Sequence, residues 1–280
     1  MMDESTEYPA GAEKAAWEAV LASLCHLQRV LPDAVLGGGT AAALYAEHRF
    51  SFDHDHVVPD LRHRFDNILT ELEAVAGWET ARIKRPVVIL GSLDGVETGV
   101  RQLRRAVPLE TTVMQVGGVG VTLPTLPEVL RIKAFLCLDR NATRDYLDLA
   151  ALAAHMGIES AVEALWRMDE YYPQRNDDQW AVRTQLIMQF AAPSPYDLDT
   201  VDLAEYMPNI KGFGRRSIIG AMWPMFAASY RTGFWTRVCR PYKLSPHQQP
   251  GRRKPQSTTG GLPGRRVKGK TIPPAKLPGA

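Results

Sequence analysis

A glycine triplet followed, one short helix later, by two aspartates at alternate strand positions constrains this 280-residue chain more than anything else in it. The stretch runs from Leu36 to Val58, LGGGTAAALYAEHRFSFDHDHVV. Gly37, Gly38 and Gly39 make a turn that opens a short apolar helix over 40–47, with Thr40 suited to cap it. His48, Arg49 and Ser51 form a polar turn, and 52–58 reads as a strand. Alternate strand residues share a face, so Ser51, Asp53 and Asp55 point one way and His54 and His56 the other. Two carboxylates a helix away from a glycine turn suit a divalent cation carrying a polyphosphate. The turn's N–H groups and the helix N-terminus favour phosphate oxygens.

The rest of the chain supplies a frame for that stretch. Ala16, Val20, Leu21, Leu24, Leu27 and Leu31 recur at helical spacing over 11–30. Asp60 stands where it would cap a helix over 61–76. Strands are expected over 78–84, 87–91, 96–103 and 109–116, with Asp94-Gly95 as the clearest hairpin turn and Gly117-Gly118 starting another. Pro124 and Pro127 introduce a helix over 127–139. A break at Asn141 leads to a second helix, 143–156, which Gly157 ends. After Pro173 the pattern is helical to about 191, and 212–231 reads as a last helix that Pro224 would kink. No regular βαβ alternation appears, so the sheet is not expected to be doubly wound.

Charge is unevenly spread. Residues 241–280 hold nine Lys or Arg and no acid, which leaves 24 basic against 31 acidic residues, about −7, in 1–240. The basic pI therefore belongs to the tail and says nothing about nucleic-acid binding by the folded part. That tail is Pro, Gly, Ser, Lys and Arg with one aromatic, Tyr242, a composition expected to remain disordered and lacking the stacking residues of a single-strand platform. Cys25, Cys137 and Cys239 show no pairing or metal spacing. With a polar, acidic N-terminus and no membrane-length apolar run, this points to a cytoplasmic chain that does not enter a membrane.

Gly38-Gly39-Thr40, then Arg49-Phe50-Ser51-Phe52-Asp53-His54-Asp55, resembles the AbiEii/AbiGii toxin-type nucleotidyltransferases of the polymerase-beta-like superfamily. Arg131-Ile132-Lys133-Ala134-Phe135 and Arg144-Asp145-Tyr146-Leu147-Asp148-Leu149 are similar to the same family's later Lys and Arg-Asp-x-x-Asp-Leu helices. The resemblance covers residues 15–190. It implies an α+β fold: a polymerase-beta-like nucleotidyltransferase core, a mixed sheet with helices, over 11–122, then a helical region over 123–235 that completes the active site. It implies transfer of a nucleoside monophosphate from a triphosphate to an acceptor hydroxyl, with Mg²⁺ or Mn²⁺. RNA, tRNA or protein would be the acceptor, a cognate antitoxin the partner, and a toxin–antitoxin or phage-defence pair the setting.

Its residue roles follow position by position. Asp53 and Asp55 would hold metal. Gly38, Gly39, Thr40, Arg49 and Ser51 would contact the nucleotide. Lys133 would grip the triphosphate, and Asp145 would orient Lys133 or contact the nucleotide. Glu110 is the candidate third metal carboxylate, with Asp94 and Glu97 competing. Plainer readings stand beside these: solvated acids at a strand end, a lysine that snorkels, an i,i+4 ion pair between Arg144 and Asp148. Two other functions fit the same residues, a small-molecule, aminoglycoside-like adenylyltransferase and a non-catalytic nucleotide-binding module. The first would show a compact acidic acceptor cleft. Under every catalytic reading Asp53, Asp55 and Lys133 must meet in one pocket beside the Gly38–Thr40 bend.

Overall fold

The computed structural model describes residues 10–173 and 180–201. The last expected helix, Cys239 and the basic tail lie outside the described residues.

The elements run α1 (Ala10–Val30), β1 (Val35–Leu36), α2 (Gly38–Ala46), β2 (Asp53–Val58), α3 (Leu61–Glu73), β3 (Trp78–Lys84), β4 (Val88–Leu93), β5 (Val96–Gln102), β6 (Thr111–Val116), β7 (Val119–Pro124), α4 (Leu126–Asp139), α5 (Thr143–Met156), α6 (Ile158–Trp166), α7 (Met168–Tyr171) and α8 (Val182–Ala191). Strand order is β1-β2-β5-β4-β3, with β6 and β7 as a separate hairpin. β2 and β5 are parallel while the other neighbours are antiparallel, so the sheet is mixed and the fold is α+β, as expected. The β4–β5 turn places Asp94 at φ 54 and Gly95 at φ 80, and the β6–β7 turn places Gly117 at φ 53 and Gly118 at φ 79. Both pairs have the positive φ at two consecutive residues that tight hairpins need.

α1 serves two hydrophobic clusters. Leu24 packs with Leu36, Ala41, Ala42, Leu123, Leu130 and Tyr146, while Leu27 and Leu31 pack with α3 and the inner sheet face at Val58, Leu72, Ile89 and Val100. Each fully buried leucine contributes about 1.5–3 kcal/mol. Some expected boundaries move. α3 stops at Glu73, and Asp60 makes no side-chain cap bond; its carboxylate accepts from Arg64 Nη2 at 2.9 Å instead.

The inner face of β2 buries both histidines of the strand. The Ser23 hydroxyl donates to Leu93 O at 2.8 Å and that of Thr98 to Val96 O at 2.9 Å. Both are thus left as acceptors for His54 Nε2–H, at 2.9 and 3.1 Å. His54 Nδ1 then accepts from His56 Nε2–H at 3.1 Å. Burial pulls the His54 pKa down from 6.5 to about 4, against the charge of Asp53, which raises it. His56 is lowered as well, by burial and by His54. The unfolded chain takes up these protons near pH 6.5 and the folded chain does not, so stability present above pH 6.5 is lost as pH falls towards 4. Urea unfolding should show about 3 kcal/mol less stability at pH 4 than at pH 7 on account of His54 alone. His54→Gln should flatten the slope, and an equally steep slope in that variant would contradict the assignment.

Candidate active site

The glycine turn sits where β1 passes the chain to α2. Gly37 N–H donates to Asp55 O at 2.7 Å, which stitches the turn to β2. Gly38 has φ +68, the left-handed region, and a Cβ there would lie 3.5 Å from Asp55 Cβ. At Gly39 a Cβ would lie 2.3 Å from Arg49 Nη2 and 3.1 Å from Ser51 Oγ, so the absent side chain lets both residues close onto the turn. Thr40 is fully buried and its hydroxyl donates to the backbone carbonyl of Asp53. It therefore braces β2 and is not presented to a phosphate, which corrects the expected nucleotide contact.

β2 and β5 are in register with Asp53 opposite Glu97 and Asp55 opposite Gly99. Ser51 Oγ donates to Asp53 Oδ1 at 3.0 Å, and Arg101 Nε donates to Asp55 Oδ1 at 2.9 Å. The Asp55 carboxylate leans over Gly99 so closely that a Cβ there would lie 2.1 Å from Oδ1. Glu97 is exposed and shares the face of Asp53. Glu110 is held elsewhere. Its carboxylate is bound by Arg131 and by the Tyr171 hydroxyl, which hold its pKa down, and it does not line the cleft of the two aspartates. The third acid at the cleft is Glu97, reached through strand register.

Lys133 arrives from α4 and is nearly fully buried. Its Nζ lies 3.2 Å from Asp145 Oδ1 and 2.6 Å from Asp148 Oδ2. Asp148 also accepts from His48 Nε2 at 2.8 Å and from Arg49 Nε and Nη2 at 2.8 and 3.2 Å. Burial opposes ionisation of Asp148, but Lys133, His48 and Arg49 outweigh it and hold the carboxyl well below its ordinary value. Asp145 takes a further contact from Arg140 Nη2 at 3.3 Å. The alternative reading, an Arg144–Asp148 ion pair, does not hold: the pair does not form. α5 turns Asp148 inward, and Arg144 stands exposed at the cleft without an ion-pair partner among the described residues.

These residues line one cleft of about 630 Å³. Gly38 and Gly39, Arg49 and Ser51, Asp53 and Asp55, Glu97, Lys133, Arg140 and Arg144 all reach it, together with Phe50 and Phe52. A second groove, about 440 Å³, opens on the sheet face and shares Asp53, Asp55 and Glu97. Sequence reasoning missed Arg140 as a site residue and read Arg144 only as a helix ion pair. Arg144 opens the Arg-Asp-x-x-Asp-Leu stretch, while the signal for Arg140 was its place before the Asn141 break.

Among the described residues no three His, Cys, Asp or Glu side chains are grouped to enclose a metal ion. The acids that line the cleft, Asp53, Asp55 and Glu97, offer only oxygen donors. Mg²⁺ is commonly held by one or two carboxylates plus substrate phosphates, so the set fits that ion. Among the described residues, no helix is long and apolar enough to cross a membrane.

No protein-family model matches the chain. Over 97 residues it is 42% identical to the heme uptake protein MmpL11 of Mycobacterium tuberculosis (strain ATCC 25618 / H37Rv), a match covering 34% of this chain and 10% of that protein. The chain thus spans about a tenth of the length of the curated relatives it matches. Among solved structures it is similar to an antigenic nucleotidyltransferase-like protein from Paracoccidioides brasiliensis, at 19% identity and TM-score 0.40, over 61% of this chain and 93% of that one. It is also similar to the antibiotic-resistance factor ANT(2'')-Ia, at 12% identity and TM-score 0.43, over 56% of this chain and 94% of that one.

Proposed function

We propose that the chain is a metal-dependent nucleotidyltransferase that moves a nucleoside monophosphate from a triphosphate to an acceptor hydroxyl. The observation that carries this is the single cleft in which the Gly38–Gly39 turn, the Asp53/Asp55 pair and three cations from α4, its C-terminal end and α5 meet. Asp53 and Asp55 would hold Mg²⁺ or Mn²⁺, which when bound offsets triphosphate charge and activates the acceptor hydroxyl. Backbone N–H groups of the Gly38–Gly39 turn would contact the phosphates, and Arg140 and Arg144, which line the same cleft, would neutralise them. Lys133 adds charge at depth while Asp145 and Asp148 fix its position. The acceptor oxygen forms a bond to the α-phosphorus, the bond from that phosphorus to the bridging oxygen breaks, and pyrophosphate leaves. Glu97, without an ion-pair partner among the described residues, takes the hydroxyl proton. Lys133, Arg140 and Arg144, from α4, its C-terminal end and α5, complete the cleft.

The resemblance to AbiEii-type enzymes supports a toxin role, an antitoxin partner and RNA, tRNA or protein as acceptor. One observation favours a small amine-bearing acceptor instead. The sheet-face groove presents Asp53, Asp55, Glu79 and Glu97 against Arg82 and Arg101, an excess of negative charge that repels a polyanion.

The full chain incubated with each labelled ribonucleoside triphosphate and Mg²⁺ should transfer label and release pyrophosphate when given an acceptor. Total RNA, a test protein and an amino-oligosaccharide are the three acceptors to compare. Absence of both triphosphate binding and pyrophosphate release with all three would reject the proposal. Label on RNA alone would reject the small-acceptor reading.

A further inference from the structure

Phe52 is the least expected lining residue of the cleft. It is 57% exposed, although it lies between the polar residues Ser51 and Asp53. Its neighbour in the motif, Phe50, behaves differently: the Phe50 ring is half-buried and packs against Trp17 of α1, with centroids 6.1 Å apart at 40°. Phe52 has no aromatic partner among the described residues. An aromatic ring left facing solvent inside a cleft forgoes the burial that usually stabilises such a side chain.

The surroundings say which ligand would cover it. The same cleft offers Arg140, Arg144 and the Gly38–Gly39 N–H groups to an anion, and Phe52 to something flat and apolar. A nucleotide joins those two characters in one molecule. Phe52 is one residue from Asp53, and consecutive Cα atoms are about 3.8 Å apart. The ring therefore starts beside the wall that carries Asp53 and Asp55.

We infer that Phe52 is the stacking residue for the nucleobase of the bound triphosphate. The inference rests on the nucleotidyltransferase reading above and adds the surface on which the base lies. Stacking is tolerant of base identity because every base has a π-face, so Phe52 contributes affinity for a nucleoside over bare phosphate and does not choose among the four bases.

The test uses the full chain with Mg²⁺ and two kinds of probe, the four ribonucleoside triphosphates and inorganic tripolyphosphate, with dissociation constants measured by calorimetry. F52A should weaken the nucleotides by roughly five- to a hundredfold, the range for one stacked base, and leave tripolyphosphate unchanged. F52W should restore nucleotide binding, which a general loss of folding would not allow. Nucleotide affinity unchanged in F52A would overturn the inference, as would equal weakening of tripolyphosphate. If the wild-type chain binds neither probe, the nucleotide reading itself has failed, an outcome distinct from a silent F52A in a chain that binds both.

Discussion

Asp53→Ala and Asp55→Ala should each lower nucleotidyl transfer by on the order of a thousandfold, the scale of several kcal/mol of lost charge stabilisation, while the chain stays folded. Both side chains sit at the open face of β2 and neither supports a hydrophobic cluster, so the cost falls on chemistry. Gly99→Ala gives an independent handle on the same wall. Its new Cβ would lie 2.1 Å from Asp55 Oδ1 and 3.3 Å from Leu90 Cδ2, so the carboxylate must leave the position that Arg101 now holds. The alanine variant should therefore lose most transfer with both aspartates intact. Pyrophosphate release measured beside a thermal melt checks all three. Full activity in Asp53→Ala or Asp55→Ala would remove the metal-holding role.

Asp148→Ala should destabilise the chain by about 3–5 kcal/mol, because a buried ion pair broken on one side leaves uncompensated charge. Here three cationic or ionisable groups lose their shared partner: Lys133 at 2.6 Å, Arg49 at 2.8 Å and His48 at 2.8 Å. Asp145 still faces Lys133 at 3.2 Å, while Arg49 and His48 lose the carboxylate that they share. The depressed pKa of Asp148 adds a pH signature. Its contribution is present above the unfolded value of 3.8 and is lost as pH falls below it. Urea unfolding at pH 7 measures the loss directly, and a change under 1 kcal/mol would mean that the network is not cooperative.

The fold was legible wherever the signal was local. Asp94-Gly95 announced its hairpin, Gly117-Gly118 announced a turn though not the strand β7 that follows it, and the Leu24–Leu27–Leu31 stripe announced a buried helix, because turn chemistry and helical period act within a few residues. Alternation on 53–56 assigned the acids and the histidines to opposite faces. What could not be read was lateral. Glu97 and Glu110 both stood on expected strands, and only the parallel register of β2 with β5 sets Glu97 beside Asp53 while Glu110 turns to Arg131 and Tyr171. The Gly99–Asp55 contact has the same origin, since a glycine within a strand carries no mark of what leans over it. Thr40 looked available because caps are common at such positions. Its burial follows from the tight packing of α2 against β2. Lys133 was recognisable as unusual on an apolar helix, but two aspartates one helical turn apart on α5 were needed to explain it.

The carboxylate of Asp148 ties residues 48 and 49, in the loop that frames the cleft, to a helix a hundred residues downstream. Recombination that exchanged one segment for a homologous stranger's would separate charges that were selected as a set, and hybrids joined near residue 123 should inherit a strained loop even when each half is sound. Lineages would therefore pass the two segments on as one block, with changes at 48, 49, 133 and 148 travelling together.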